Sequence, residues 1–306
     1  MRRRIVIVAL GALALAALAT ASRADPFWGV TGVNWQYSEV FLVDSATGNV
    51  TMVNNSTSNP IYSDIAETPN LNLYTIGMDT YQTQKAGNGS NRADFDTLYR
   101  LDPSTGAVLT QWSGIFDINV NALTAVNSTT LLAIEGGGVG PRWGDANNPA
   151  LWQINLDASG NYVNKTSLGY LPIDLSDGDI ARDPTTGKYW AGFWQGAGSE
   201  MWEIDISSPA NSNVGKNSNV CWDSGLAFTT GGVAYASSWA DKKLYTIDLV
   251  NGGSSVAWDL SGSLAGNIYG LDVHIPEPFS MAFMASALVG VVAVRLRGRR
   301  KEANRK

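Results

Sequence analysis

The sequence predicts an all-β fold in which a four-stranded unit repeats, and three observations predict it. The first is a recurring phrase: an apolar segment with alternating faces, then Asp or Asn, then a turn containing Gly. It reads Phe41-Leu42-Val43-Asp44 before Thr47-Gly48, Leu98-Tyr99-Arg100-Leu101-Asp102 before Thr105-Gly106, and Leu151-Trp152-Gln153-Ile154-Asn155 before Ser159-Gly160. Met201-Trp202-Glu203-Ile204-Asp205 and Leu244-Tyr245-Thr246-Ile247-Asp248 before Gly252 complete the set. Its Asp or Asn positions lie 58, 53, 50 and 43 residues apart, the period of a repeat architecture. Second, each of the last four phrases follows another strand-like segment, opening at Asp64-Ile65-Ala66, Asn121-Ala122-Leu123, Gly178-Asp179-Ile180 and Gly225-Leu226-Ala227. Third, the 11 Trp are spread through every unit, as expected where sheets pack on both faces.

The turns carry their own chemistry. Asp102-Pro103-Ser104-Thr105-Gly106 supplies an Asp acceptor, a Pro with its fixed φ and a Gly for positive φ, and Asp183-Pro184-Thr185-Thr186-Gly187 repeats it. Units of four short strands at roughly 40 to 60 residues are what the blades of a β-propeller require. The segment Asn267-Ile268-Tyr269-Gly270-Leu271-Asp272-Val273 reads as the first strand of a unit whose remainder is missing. Trp28-Gly29-Val30-Thr31-Gly32 followed by Phe41 reads as a unit lacking its first strand. Joined, they form a composite closing blade that leaves no exposed edge. The expected blades are 267–274 with 27–53, then 60–112, 119–168, 174–215 and 222–260. A degenerate extra blade in the long second unit would make six.

The two ends differ from this body. Residues 1–24 have a basic start at Arg2, Arg3 and Arg4, an apolar run from Ile5 to Leu18 and then small residues, the organisation of a signal peptide read by the Sec machinery and signal peptidase. Residues 276–306 open with Pro276-Glu277-Pro278, continue with an uncharged stretch from Phe279 to Val294, and end in a basic cluster of Arg295, Arg297, Arg299, Arg300 and Lys301. As a helix the apolar stretch would be about 24 Å long, short of the roughly 30 Å of a hydrocarbon core. Its basic flank would stay cytoplasmic and leave residues 25–275 outside.

Charge narrows the function further. Between Asp25 and Ile275 there are ten basic and 25 acidic residues, a balance that repels nucleic acid and anionic membrane faces. With one Cys (Cys221) and one His (His274), a zinc cluster, a Cys-His nucleophile and a familiar His-based triad are all excluded. Asp174, Asp177, Asp179 and Asp183 are spaced around Gly178 as oxygen ligands for Ca²⁺ would be, though the same residues serve as turn acceptors. Gly136-Gly137-Gly138-Val139-Gly140 lacks the Lys-Ser/Thr of a phosphate loop and reads as a connection. Trp143, in a loop-like Gly140-Pro141-Arg142-Trp143-Gly144 context, is the candidate for stacking on a sugar ring.

The C-terminal order of Pro-Glu-Pro, short apolar stretch and basic tail resembles the PEP-CTERM sorting signal of exported proteins in Gram-negative bacteria. That resemblance implies recognition by an exosortase, transient anchoring in the inner membrane through the transmembrane helix, and cleavage near Pro276–Pro278. The body phrases resemble NHL- and quinoprotein-like repeat propellers, which implies a fold and no particular activity. The resulting expectation is a secreted, non-catalytic propeller at the cell surface or in the extracellular matrix, without a resident cofactor, binding exopolysaccharide or a surface protein. The alternative is a calcium-dependent propeller hydrolase or lactonase.

Overall fold

In the computed structural model each anchor phrase forms the third strand of a four-stranded antiparallel sheet, and the described residues hold five such sheets. Those residues are 25–33, 36–77, 96–116, 120–135, 149–172, 178–194, 199–217, 220, 223–238 and 240–274. Blade 1 pairs β1 (Pro26–Gly32), β2 (Val40–Asp44) and β3 (Val50–Asn54) with β20 (Asn267–Val273), in the order β20-β1-β2-β3. Blade 2 is β4 (Tyr62–Glu67), β5 (Leu73–Gly77), β6 (Thr97–Leu101) and β7 (Val108–Trp112). Blade 3 is β8 (Val120–Asn127), β9 (Thr130–Glu135), β10 (Ala150–Leu156) and β11 (Tyr162–Tyr170). Blade 4 is β12 (Gly178–Arg182), β13 (Tyr189–Trp194), β14 (Ser199–Ile204) and β15 (Asn213–Asn217). Blade 5 is β16 (Asp223–Phe228), β17 (Ala234–Ser238), β18 (Lys243–Ile247) and β19 (Ser254–Asp259).

The innermost strands β4, β8, β12, β16 and β20 each contact the next in turn, and β20 contacts β4. The chain is therefore a closed five-bladed β-propeller. Burial follows the radius: every residue of β4 is buried, whereas β7 and β19 are largely exposed. The blade limits expected from the sequence agree with these bounds within four residues at every end.

Turn chemistry explains why the strands end where they do. The Asp44 carboxylate accepts the N–H groups of Ala46 and Thr47, both at 2.9 Å, and the N–H of Gly48 donates to the Asp44 carbonyl with Gly48 at φ +71°. Asp102 with Gly106, Asp183 with Gly187 and Asp248 with Gly252 repeat the device. A side-chain acceptor saturates the turn while a left-handed Gly reverses the chain.

Packing lies between blades, in five layers. Blades 1 and 2 meet over Trp28, Val30, Tyr62, Ile65 and Tyr99; blades 2 and 3 over Tyr74, Leu98, Leu123 and Ile154. Blades 3 and 4 meet over Leu151, Ile180, Phe193 and Trp202; blades 4 and 5 over Met201, Leu226 and Phe228; blades 5 and 1 over Phe27, Phe41, Leu244 and Leu271. Every layer takes at least one Trp: Trp28, Trp112 with Trp152, Trp202, Trp190 and Trp258. Trp258 also lies against Gly48 and donates its Nε1–H to the Ser45 carbonyl at 3.1 Å, tying blade 5 to the first turn of blade 1.

The signal-peptide reading of 1–24 and the sorting-signal reading of 276–306 fall on residues outside the described set. Among the described residues no helix is long and apolar enough to cross a membrane.

Ring closure rests on β20, which pairs with β1 from Phe27↔Val273 to Gly32↔Asn267 and buries Ile268 and Leu271. A chain of residues 25–266 bares the β1 edge and opens two layers at once. It should lose at least about 5 kcal/mol relative to 25–274, the low end of a whole domain's stability. Calorimetry that finds the same cooperative transition at the same temperature in both chains would refute composite closure.

Candidate functional site

A polar site of unusual composition lies on the axis, where the five innermost strands bring their free edges together. Each of these strands pairs with a neighbour on one side only. On the axial side, N–H groups must find other acceptors, because buried unpaired amides cost about 1–3 kcal/mol each. Two carboxyls serve them. Asp64 accepts the N–H of Ile65 at 2.7 Å on Oδ1 and the N–H of Leu123, on the neighbouring β8, on Oδ2. Asp179 accepts the N–H of Ile180 at 2.6 Å on Oδ1. Its Oδ2 accepts Leu226 of β16 at 2.6 Å and Leu271 of β20 at 3.4 Å.

The two carboxyls also hydrogen-bond one another. Asp64 is 0% and Asp179 1% exposed, so burial is the main force on their ionisation. Burial first, then the repulsion and proton-sharing bond of Asp179, hold Asp64 well above the ordinary carboxylate range. Burial pushes Asp179 up to about 7, with the bond from Asp64 and the backbone donors pulling the other way. The pair therefore holds a proton between its members at neutral pH.

One step along the axis, Asp272 of β20 repeats the motif. Its Oδ2 accepts the N–H of Glu67 on β4 at 2.6 Å, and burial is the largest of the causes that hold it well above its ordinary value. Glu67 turns its buried carboxylate to His274, with Oε2 2.8 Å from Nδ1. The imidazole meets Trp28 edge-on at a centroid distance of 5.5 Å, and the His274 N–H donates to the Pro26 carbonyl at 2.7 Å. The chain's one His thus fastens the end of β20 to both blade 1 and blade 2.

Of the residues proposed as calcium ligands, Asp179 is on the axis with backbone N–H groups on both oxygens. Asp183 lies in the β12–β13 turn, where Oδ1 accepts Thr185 N–H and hydroxyl and Oδ2 accepts the Thr186 hydroxyl. The structure does not bring these two together. Asp174, Asp177 and Trp143 lie outside the described residues, as do Pro276, Glu277, Pro278 and the basic tail. Among the described residues no three His, Cys, Asp or Glu side chains are grouped to hold a metal ion. The oxygens of Asp64 and Asp179 face the positive ends of N–H dipoles, which favour negative charge there and repel a cation, while burial and the repulsion between the carboxyls retain the shared proton.

Sequence reasoning missed the axial pair. The signal was in the opening segments: the residue before the axial N–H is Asp64, Ala122, Asp179, Gly225 or Gly270, acidic twice and small three times.

Two outcomes follow from this geometry. Both axial carboxyls bind their proton more tightly folded than unfolded. Their contribution to stability is complete below the ordinary Asp value of about 3.9 and declines as pH rises, that of Asp179 being lost through its folded value of about 7. The turn carboxylates oppose this at low pH: the Ser104 hydroxyl holds Asp102, and the Asn251 N–H holds Asp248, below the usual range, so their contribution is lost on acidification. The unfolding temperature should peak on the acid side of neutrality and fall by roughly 5 °C between pH 5 and 8; a curve rising across that interval contradicts the assignment. Gly270→Ala puts a Cβ 2.2 Å from Asp64 Oδ1 and should cost about 1–3 kcal/mol, whereas Gly262→Ala, with nothing within 4 Å, should stay within about 0.5, as equilibrium denaturation would measure.

No family model matches the chain, and no curated protein matches it in sequence. Among solved structures it is similar to TolB from Acinetobacter baumannii, with a TM-score of 0.44 and 13% identity over 76% of this chain and 52% of that one. It thus spans about half the length of that TolB chain. A protein of unknown function from Bacteroides caccae gives a TM-score of 0.47 at 11% identity over 82% and 98% of the two chains. A gluconolactonase from Xanthomonas campestris gives 0.44 at 12% over 81% and 79%. Likenesses at this level carry no statement about activity, and the strand order above is what makes this chain a β-propeller.

Proposed function

We propose that this chain is an exported propeller that works by binding, at the cell surface or in the extracellular polymeric matrix, with exopolysaccharide or another surface protein as its partner. Delivery runs through the N-terminal signal peptide and the C-terminal Pro276-Glu277-Pro278 signal, as an exosortase substrate. The observation that supports a binding role over a calcium-dependent hydrolase or lactonase is the state of the axial carboxylates. A metal-dependent propeller hydrolase needs carboxylate oxygens open to a cation, and all four oxygens of Asp64 and Asp179 accept backbone N–H groups. The acidic body and the solid, apolar interblade layers leave the outer surface as the place for recognition.

Mass spectrometry of the surface-exposed protein should find a new C-terminus near Pro276–Pro278, and replacing those three residues by Ala should abolish it. An intact tail ending at Lys306 on the surface protein overturns the sorting reading. The purified body should be retained on exopolysaccharide, and EDTA should change neither retention nor unfolding temperature. Tightly bound calcium accompanied by lactonase or esterase activity would establish the hydrolase instead.

A further inference from the structure

We propose that the propeller axis is an anion-binding ring of five backbone N–H groups, one from each blade, filled in cis by the side chains of Asp64 and Asp179. When one of those side chains is removed, a small free carboxylate occupies the ring.

The five donors are Ile65, Leu123, Ile180, Leu226 and Leu271, at the same repeat position of the five innermost strands. They belong to the backbone, so the convergence of N–H dipoles persists whatever side chains surround it. Converging backbone N–H groups make an anion site in the way a nest of amides does. Here the anion is supplied by the chain: two carboxyl groups present four oxygens to five donors.

The neighbouring positions are shaped to admit two carboxyls and no more. The residues that precede the other three donors are Ala122, Gly225 and Gly270. A Cβ at Gly225 would fall 2.9 Å from the Leu271 nitrogen, and one at Gly270 would fall 2.2 Å from Asp64 Oδ1. A larger side chain at either position would cover a donor or evict an acceptor. Because the same position tolerates Ala in blade 3 and Gly in blades 5 and 1, Asp179→Ala and Asp179→Gly fit the strand geometry. The first deletes the atoms of a formate ion and the second those of an acetate ion.

The test is chemical rescue on the full chain. Asp179→Ala and Asp179→Gly should unfold at lower temperature than the parent. Sodium formate should restore the Ala variant and sodium acetate the Gly variant, by about 3 °C or more at tenfold over the dissociation constant, relative to sodium chloride at equal ionic strength. The parent, its ring already filled, should show no such difference. Equal effects of carboxylate and chloride on both variants overturn the proposal. Should neither variant fold, hydrogen exchange on the parent decides. The amides of Ile65, Leu123, Ile180, Leu226 and Leu271 should belong to its slowest class, and rapid exchange at these positions overturns the assignment.

Discussion

A ring of sheets has one geometric difficulty, which is that every innermost strand turns an unpaired edge toward the axis. Five such edges converge where the surrounding residues are buried, and the cost of leaving one amide unserved is a sizeable part of a domain's margin. Asp64 and Asp179 meet that constraint. Each joins its own strand to the next, and Asp179 reaches a third, so two side chains hold strands from all five blades. Asp272 extends the tie between β20 and β4, and Glu67 carries it to His274. The small residues of the centre fit around this pairing: a Cβ at Gly270 would meet Asp64 Oδ1, and one at Gly225 would crowd the Leu271 nitrogen that Asp179 serves.

Farther from the axis the physics becomes apolar. Aromatic and branched side chains fill five equivalent layers, and each layer includes a Trp whose large surface bridges sheets that diverge as they leave the centre. The periphery is secured locally by turn Asp residues that saturate their own N–H groups. Centre, layers and rim thus use three different interactions, and the carboxyl group changes its role with radius: paired and sharing a proton at the axis, ionised and locally bonded in the turns.

Much of the ring was legible because its rules are local. Alternation in Leu98–Leu101, the Asp-to-Gly turns and the stranded half-units at 27–53 and 267–274 depend on residues a few positions apart, so the blades and their composite closure could be read off directly. The axis obeys no such rule. Asp179 and Asp183 are neighbours in sequence, but a strand advances about 3.3 Å per residue, which carries one to the axis and leaves the other in a turn. The partner of Asp179 is Asp64, 115 positions away, and the partner of His274 is Glu67, 207 positions away. Only closure of the ring creates these pairs. A comparison of repeats position by position, with Asp or a small residue before each Ile or Leu, was the single sequence trace they left.

The membership of β20 in blade 1 has a kinetic side. Blades 2 to 5 are each built from one continuous stretch of chain, the longest connection within them running from Gly77 to Thr97, whereas blade 1 must wait for a strand some 240 residues after β1. Closing a loop of that length costs about 5 kcal/mol of chain entropy, several-fold more than a hairpin turn. Stacking of blades 2 to 5 meets most of that cost, because it brings β20 beside the β1 slot. A ring that is not yet closed presents an adhesive seam at each end, the β1 edge and the uncovered face of blade 5. How fast the seven residues of β20 find their single slot therefore sets the balance between a chain that closes on itself and two chains that exchange their last strands.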